Sequence, residues 1–183
     1  MERIAVIGSP GAGKSTLSRR LGEALGLSVV HLDRLFWRPG WVETPRPEWH
    51  ALQEDLVRQE RWIIDGNYGG SLGIRLNRAT AVVFLDYPPL LCLWGALKRR
   101  VQHRRGGRPD MAEGCPEAID LPFLRFIWTF RREGRPRIEA KLAELPAGVS
   151  VYRLRSRAEA DAFLASISAF SGHQGRNPDL ARR

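Results

Sequence analysis

The sequence predicts an α/β fold: a five-stranded parallel sheet with helices on both faces and a small basic lid. Short Val- and Ile-rich runs alternate with amphipathic stretches along most of the 183 residues, the pattern of βα units whose strands are buried on both sides. The first run, Arg3-Ile4-Ala5-Val6-Ile7, leads into a glycine-rich loop and then a helical period. Later runs end in acidic residues, at the strand ends where open parallel sheets bind ligands.

The elements follow in order. A strand is expected at 3–8, then a helix at 14–25, where Leu17, Leu21, Ala24 and Leu25 recur at helical spacing. Next come a strand at 28–32, a Trp-rich connection at 33–46, a helix at 47–59 and a strand at 61–65. A Gly-rich turn, a short helical segment at 71–78 and a strand at 80–85 follow. Then a helix at 88–102, an arginine-rich loop at 103–119, helical material at 121–145, a strand at 149–154 and a helix at 157–169. Residues 1–170 are expected to form one domain with its lid at 103–119. The segment 171–183 has little apolar content and is expected to be a disordered tail.

Composition narrows the classes. Hydrophobic residues make up 43% of the chain, ordinary for a globular protein, and no apolar run approaches the ~20 residues of a membrane span. With the first strand expected from residue 3, no secretory leader is expected in this sequence. Cys92 and Cys115 lie in no metal or redox spacing. The expected compartment is the cytoplasm. A net charge of +9 invites a nucleic-acid reading. Yet almost all the positive charge is arginine, which sites for polyphosphates also need.

The richest motif is Gly8-Ser9-Pro10-Gly11-Ala12-Gly13-Lys14-Ser15-Thr16. It is a complete G-x-x-x-x-G-K-[ST] phosphate loop between a strand and a helix. Such glycines let backbone N–H groups turn toward phosphate oxygens, and the helix points its positive end at the same anion. Lys14 is expected on the β- and γ-phosphates of ATP, and the Ser15 hydroxyl on Mg²⁺.

Three strand ends carry acids: Asp33, Asp65 and Asp86. Pattern alone favours Asp86 as the metal-side acid, because four apolar residues precede it, although Pro88 then starts a helix. Gly8–Thr16, Leu32-Asp33 and Ile63-Ile64-Asp65-Gly66, followed by a basic lid, resemble the adenylate-kinase-like nucleotide kinases over nearly the whole chain. That resemblance implies a P-loop NTPase fold of the nucleotide-kinase type, with Asp65 holding the metal through water. The phrases His31-Leu32-Asp33, Leu35-Phe36-Trp37, Asp65-Gly66-Asn67-Tyr68 and Arg108–Glu117 are similar to the DNA topology modulation (FlaR-like) proteins, which are P-loop relatives of adenylate kinase.

The chain departs from adenylate kinase on the acceptor side. Phe36 and Gly69 stand where that family keeps arginines for the acceptor phosphate. Phe36, Trp37 and Trp41, with Gly66, Asn67 and Tyr68, are expected to line the acceptor site instead. Asp33 is the expected acceptor-side acid, and Arg34, Arg38 or Arg75 remain available for a mononucleotide. His31 alternates away from Asp33 and reads as a packed histidine.

Lys98-Arg99-Arg100, His103-Arg104-Arg105 and Arg108 form a basic run, with no acid between Asp86 and Asp110. This suits a glycine-hinged cover over ATP that supplies charge where the phosphoryl group moves. The resemblance aligns Arg100 with the lid base and Arg135 and Arg137 with a later catalytic pair. It also puts the adenine ring near the Arg155-Ser156-Arg157 turn. The expected activity is ATP- and Mg²⁺-dependent phosphoryl transfer to a small-molecule hydroxyl or phosphate acceptor, a nucleoside or nucleotide. The alternative is an ATP-binding, DNA-associated regulator whose basic lid touches DNA, although no zinc finger or helix-turn-helix accompanies it.

Overall fold

The computed structural model describes residues 1–102, 110–115 and 119–174. Its centre is β1 (Arg3–Gly8), buried from Ile4 onward. The strand continues into the phosphate loop and α1 (Lys14–Leu25), which ends where Gly26 adopts the left-handed conformation at φ 61°. The chain then forms β2 (Val29–His31), the short α2 (Leu32–Phe36), β3 (Trp37–Arg38) and β4 (Val42–Glu43). After α3 (Arg46–Arg58) come β5 (Trp62–Asp65), α4 (Leu72–Leu76) and β6 (Ala81–Leu85). The remainder is α5 (Pro89–Gln102), α6 (Leu121–Ala143), β7 (Ser150–Leu154) and α7 (Arg157–Gln174).

The main sheet has the order β2-β5-β1-β6-β7, and every pairing in it is parallel. Period-2 alternation divides β1 between two cores. Ile4 and Val6 meet Leu17, Leu21, Cys92, Ala96, Phe163 and Leu164 from α1, α5 and α7. On the other face, Ala5 and Ile7 meet Trp49, Val57, Leu72, Leu76, Phe130 and Ile138. Helix α6 serves both layers, because Ile127 joins the first core and Phe130 and Ile138 the second.

Two elements differ from the expected connections. The stretch 33–46 is ordered: β3 and β4 pair antiparallel as a hairpin, with Trp37 opposite Glu43 and Arg38 opposite Val42. Its turn, Pro39-Gly40-Trp41, has positive φ at Gly40 and Trp41, the backbone twist that short hairpin loops favour. Helix α7 runs to Gln174, into the segment expected as tail. The tail from 175 and the lid residues 103–109 and 116–118 lie outside the described residues. Residues 110–115 rest on the hairpin: Gly40 N–H donates to Gly114 O at 3.1 Å and the Cys115 thiol to Arg38 O at 3.2 Å.

Candidate active site

Beyond the carboxyl ends of β1, β2 and β5 lies a cavity of about 980 Å³. Its floor is the phosphate loop from Pro10 to Thr16. Lys14 Nζ curls onto its own loop, donating to Gly8 O at 3.0 Å and Ser9 O at 3.2 Å. Burial pushes the Lys14 pKa down, opposed by the negative charges of Asp65 and then Asp33, with Arg99 adding to the depression. An anion bound at the loop would offset that desolvation and favour the charged form of Lys14.

The loop is tied to β5. Asn67 accepts from Gly8 N–H at 2.9 Å and donates to Gly8 O at 2.7 Å, so its amide, expected on the acceptor, is spent on the phosphate loop. The turn carrying Asn67 is held from behind by Arg75, whose residue exposure is 0%. Arg75 donates to Gly66 O at 3.0 Å, to Asn67 O at 2.6 Å and to the Gln53 amide oxygen. Burial pushes its pKa down to about 9, which still leaves it charged at neutral pH. Gln53 in turn donates to Ser71 Oγ at 2.6 Å.

The next residue, Tyr68, donates its hydroxyl to Asp33 Oδ1 at 2.7 Å. Burial first, and the Asp33 charge second, push the Tyr68 pKa upward, so the phenol keeps its proton. Asp33, Trp37, Trp41, Gly66 and Tyr68 all line the cavity. Phe36 stands behind them, within 4.7–5.0 Å (ring centroids) of Trp37, Trp49 and Tyr68. Trp37 and Trp41 meet edge to face at 5.2 Å.

Trp41 (φ 63°) and Tyr68 (φ 39°) are the positive-φ non-glycine residues among those described, and both are in the cavity wall. A bulky residue held there is strained by about 1–3 kcal/mol and persists only where its surroundings fix it. Truncating Trp41 to Gly should therefore leave the protein about 1 kcal/mol more stable than truncating it to Ala, since both remove the indole and only Gly relieves the strain. Urea unfolding of the two variants measures the difference.

Asp65, the expected metal-side acid, is buried and bonded through Oδ2 to His31 Nδ1 at 2.6 Å. The parallel register of β2 and β5 sets His31 directly beside Asp65, so the histidine is a partner to the acid as well as a packed residue. Asp86, favoured by pattern alone, lies 3.4 Å from Arg135 Nε and outside the cavity wall. Arg135 also bonds Glu139 at 3.0 Å, and Arg153 reaches the same glutamate at 2.9 Å. Half-buried in this cluster, Arg135 is not part of the cavity wall, and neither is the exposed Arg137.

The basic side chains that do line the cavity include Lys98, Arg99 and Arg157. Arg100 and Arg155 do not, and the Arg155 backbone N–H caps onto Glu159 at 3.0 Å. The sequence places Arg99 in the basic run but singles out its neighbour Arg100. Cys92, Gly95, Ala96 and Arg99 fall on one helical face, and Gly95 abuts Gly11, so helical phase aims Arg99 and not Arg100 at the loop. Among the described residues no three His, Cys, Asp or Glu side chains converge to hold a metal unaided, and no helix is long and apolar enough to cross a membrane.

No known protein family's profile matches the chain. A shikimate kinase of Rhodococcus jostii (strain RHA1) is 28% identical over 137 residues, spanning 67% of this chain and 78% of the relative. Among solved structures, the shikimate kinase from Acinetobacter baumannii in complex with shikimate superposes with a TM-score of 0.58 at 16% identity. It covers 95% of this chain and 94% of its own. The deoxyadenosine kinase from M. mycoides with bound dATP gives 0.50 at 12% identity, over 91% and 99%. At such identities the likeness is one of fold. The chain has the fold of the P-loop small-molecule kinases.

Proposed function

We propose that this protein is a kinase that transfers the γ-phosphoryl group of ATP to a hydroxyl of a small molecule. The observation that carries the reading is one cavity holding a complete phosphate loop and, across from it, Asp33 fixed by Tyr68. Phosphoryl transfer needs chiefly positioning and charge neutralisation, with a carboxylate orienting the attacking hydroxyl. The loop amides and Lys14 suit the phosphates, Arg99 and Lys98 flank them, and Asp33 takes the acceptor proton.

The donor set also fits Mg²⁺ carried by the nucleotide. That ion keeps most of its waters and uses one or two protein oxygens, here Ser15 Oγ and, through water, Asp65. When bound it would neutralise charge on the β- and γ-phosphates. His31 orients the Asp65 carboxylate from the next strand, and Asn67 fixes the start of the loop. The phrases around Asp33, Asp65 and Arg108–Glu117 support placing the chain among the DNA topology modulation relatives, with the cytoplasm as its compartment.

The test is ADP formation from ATP and Mg²⁺ across a panel of nucleosides, nucleotides and other hydroxyl compounds, with duplex DNA as a separate arm. At least one small molecule should raise ADP formation in proportion to its phosphorylation. Stimulation by DNA alone would sink the kinase reading in favour of a DNA-associated ATPase.

A further inference from the structure

We infer that Arg75 is a positioning residue for both substrates at once, because it holds the turn from which Asn67 reaches the phosphate loop and Tyr68 the acceptor acid. The inference rests on the kinase reading for the roles of those two ends. Gly66 has φ 139° and Tyr68 φ 39°. Glycine adopts such a φ freely, whereas a tyrosine there persists only where its surroundings fix it. A Cβ at Gly66 would lie 2.9 Å from Leu32 Cβ, so the turn packs against the start of α2, next to Asp33. The groups that fix it are polar, buried and joined in one circuit. Arg75 Nη2 donates to Gly66 O at 3.0 Å and to Asn67 O at 2.6 Å, and Nη1 donates to the Gln53 amide oxygen. Gln53 donates to Ser71 Oγ at 2.6 Å. Ser71 closes the circuit on Tyr68 O, with its N–H at 2.9 Å and its hydroxyl at 3.1 Å. Each of the three carbonyls from 66 to 68 is thereby held.

A guanidinium with 0% exposure is costly to desolvate, and an apolar side chain of its volume would fill the same space more cheaply. What only the planar fork supplies is a single nitrogen spanning two successive carbonyls while the other engages Gln53. The turn so held carries consecutive side chains to opposite ends of the cavity. Asn67 pairs with both Gly8 N–H and Gly8 O, and Gly8 O also accepts from Lys14 Nζ at 3.0 Å. Tyr68 donates to Asp33 Oδ1 at 2.7 Å. A rotation of the turn therefore shifts Asn67 on the phosphate loop and Tyr68 on Asp33 together. Loss of the Arg75 fork frees that rotation, and a displacement near 1 Å in groups that position a substrate costs about 10²-fold. One buried arginine thus acts on both ends of the site without touching either substrate.

The full-length protein, Arg75→Met, Asn67→Ala and the double variant are titrated by calorimetry with a non-hydrolysable ATP analogue and Mg²⁺, with urea unfolding as the check on folding. Arg75→Met should weaken the analogue by about tenfold alone and by less than about twofold on top of Asn67→Ala, because its effect travels through Asn67. General loosening of the fold would weaken binding alike in both backgrounds. The acceptor end is read by fluorine NMR on protein labelled with meta-fluorotyrosine, where Tyr68 is one of three tyrosines and is assigned with Tyr68→Phe. Arg75→Met should move the Tyr68 resonance in the same direction as Asp33→Asn does. Gln53→Met opens the same circuit but keeps the guanidinium; it should move both readouts the same way and less, and it replaces Arg75→Met if that variant does not fold. Unchanged ATP-analogue affinity, an equal loss in the two backgrounds, or a Tyr68 resonance at its parent position overturns the inference. No readout here needs turnover, so the expected results without any acceptor-stimulated ADP formation would leave the role of Arg75 standing and remove the kinase reading instead.

Discussion

Asp33→Asn should lower kcat by about 10²- to 10⁴-fold, the range spanned by a positioned general base, while the Kd for ATP stays within about twofold. Tyr68 is held as a neutral donor by burial and by the Asp33 charge, so in the 2.7 Å contact the phenol gives its proton and the carboxylate accepts. One Asp33 oxygen is committed to Tyr68, which leaves the other for the acceptor hydroxyl. Asparagine keeps the shape and can still accept from Tyr68, but it cannot take a proton.

Tyr68→Phe separates positioning from proton transfer. It leaves the carboxylate and removes its anchor, so it should raise the acceptor KM more than it lowers kcat. Steady-state kinetics with the acceptor found in the panel, and calorimetry for ATP, measure all three quantities. A loss in kcat below about threefold for Asp33→Asn would remove Asp33 from the chemistry.

The parts of this molecule that were legible in the sequence are those with a local signal. The limits of β1 and α1 follow from an unbroken apolar run, a phosphate motif and a helical period, and they match the structure closely. Asp33, Trp37, Trp41 and Tyr68 reach one cavity because each sits at or just beyond a strand end, where a parallel sheet gathers its loops. The rest depends on partners distant in the chain. No local pattern says that Asn67 will close on Gly8, or that Arg75 will be enclosed to hold the same turn. The His31–Asp65 bond exists because β2 lies against β5 in register, a property of strand order that alternation along one strand cannot express. The arginines were hardest, since a basic run names many cations and only packing decides which faces inward. Arg135 pairs with Asp86 and Glu139 outside the cavity wall, and a shift of one residue exchanged Arg100 for Arg99.

Gly95→Ala should weaken ATP binding by about 10²-fold while changing global stability by less than about 2 kcal/mol. A Cβ at Gly95 would overlap the carbonyl oxygen of Gly11, and one at Gly11 would overlap the carbonyl of Cys92. Both obstructions are backbone atoms, so no side-chain rotation relieves them. Either α5 moves away or the phosphate loop moves. Helix α5 is anchored by Cys92 and Ala96, both fully buried in the core against β1, whereas the loop is held chiefly by its ends and by Asn67. The loop therefore yields. Alanine contributes about 1 kcal/mol of helix propensity over glycine, and overpacking costs about 1–3 kcal/mol, so the two largely offset in global unfolding. They do not offset at the site. A displacement near 1 Å in groups that position a substrate costs about 10²-fold, and the same shift moves Lys14 relative to Arg99. Urea unfolding with ATP calorimetry on one preparation separates these effects. An alanine variant that binds ATP as the parent does would mean that the close approach of α5 to Gly11 has no part in shaping the phosphate loop.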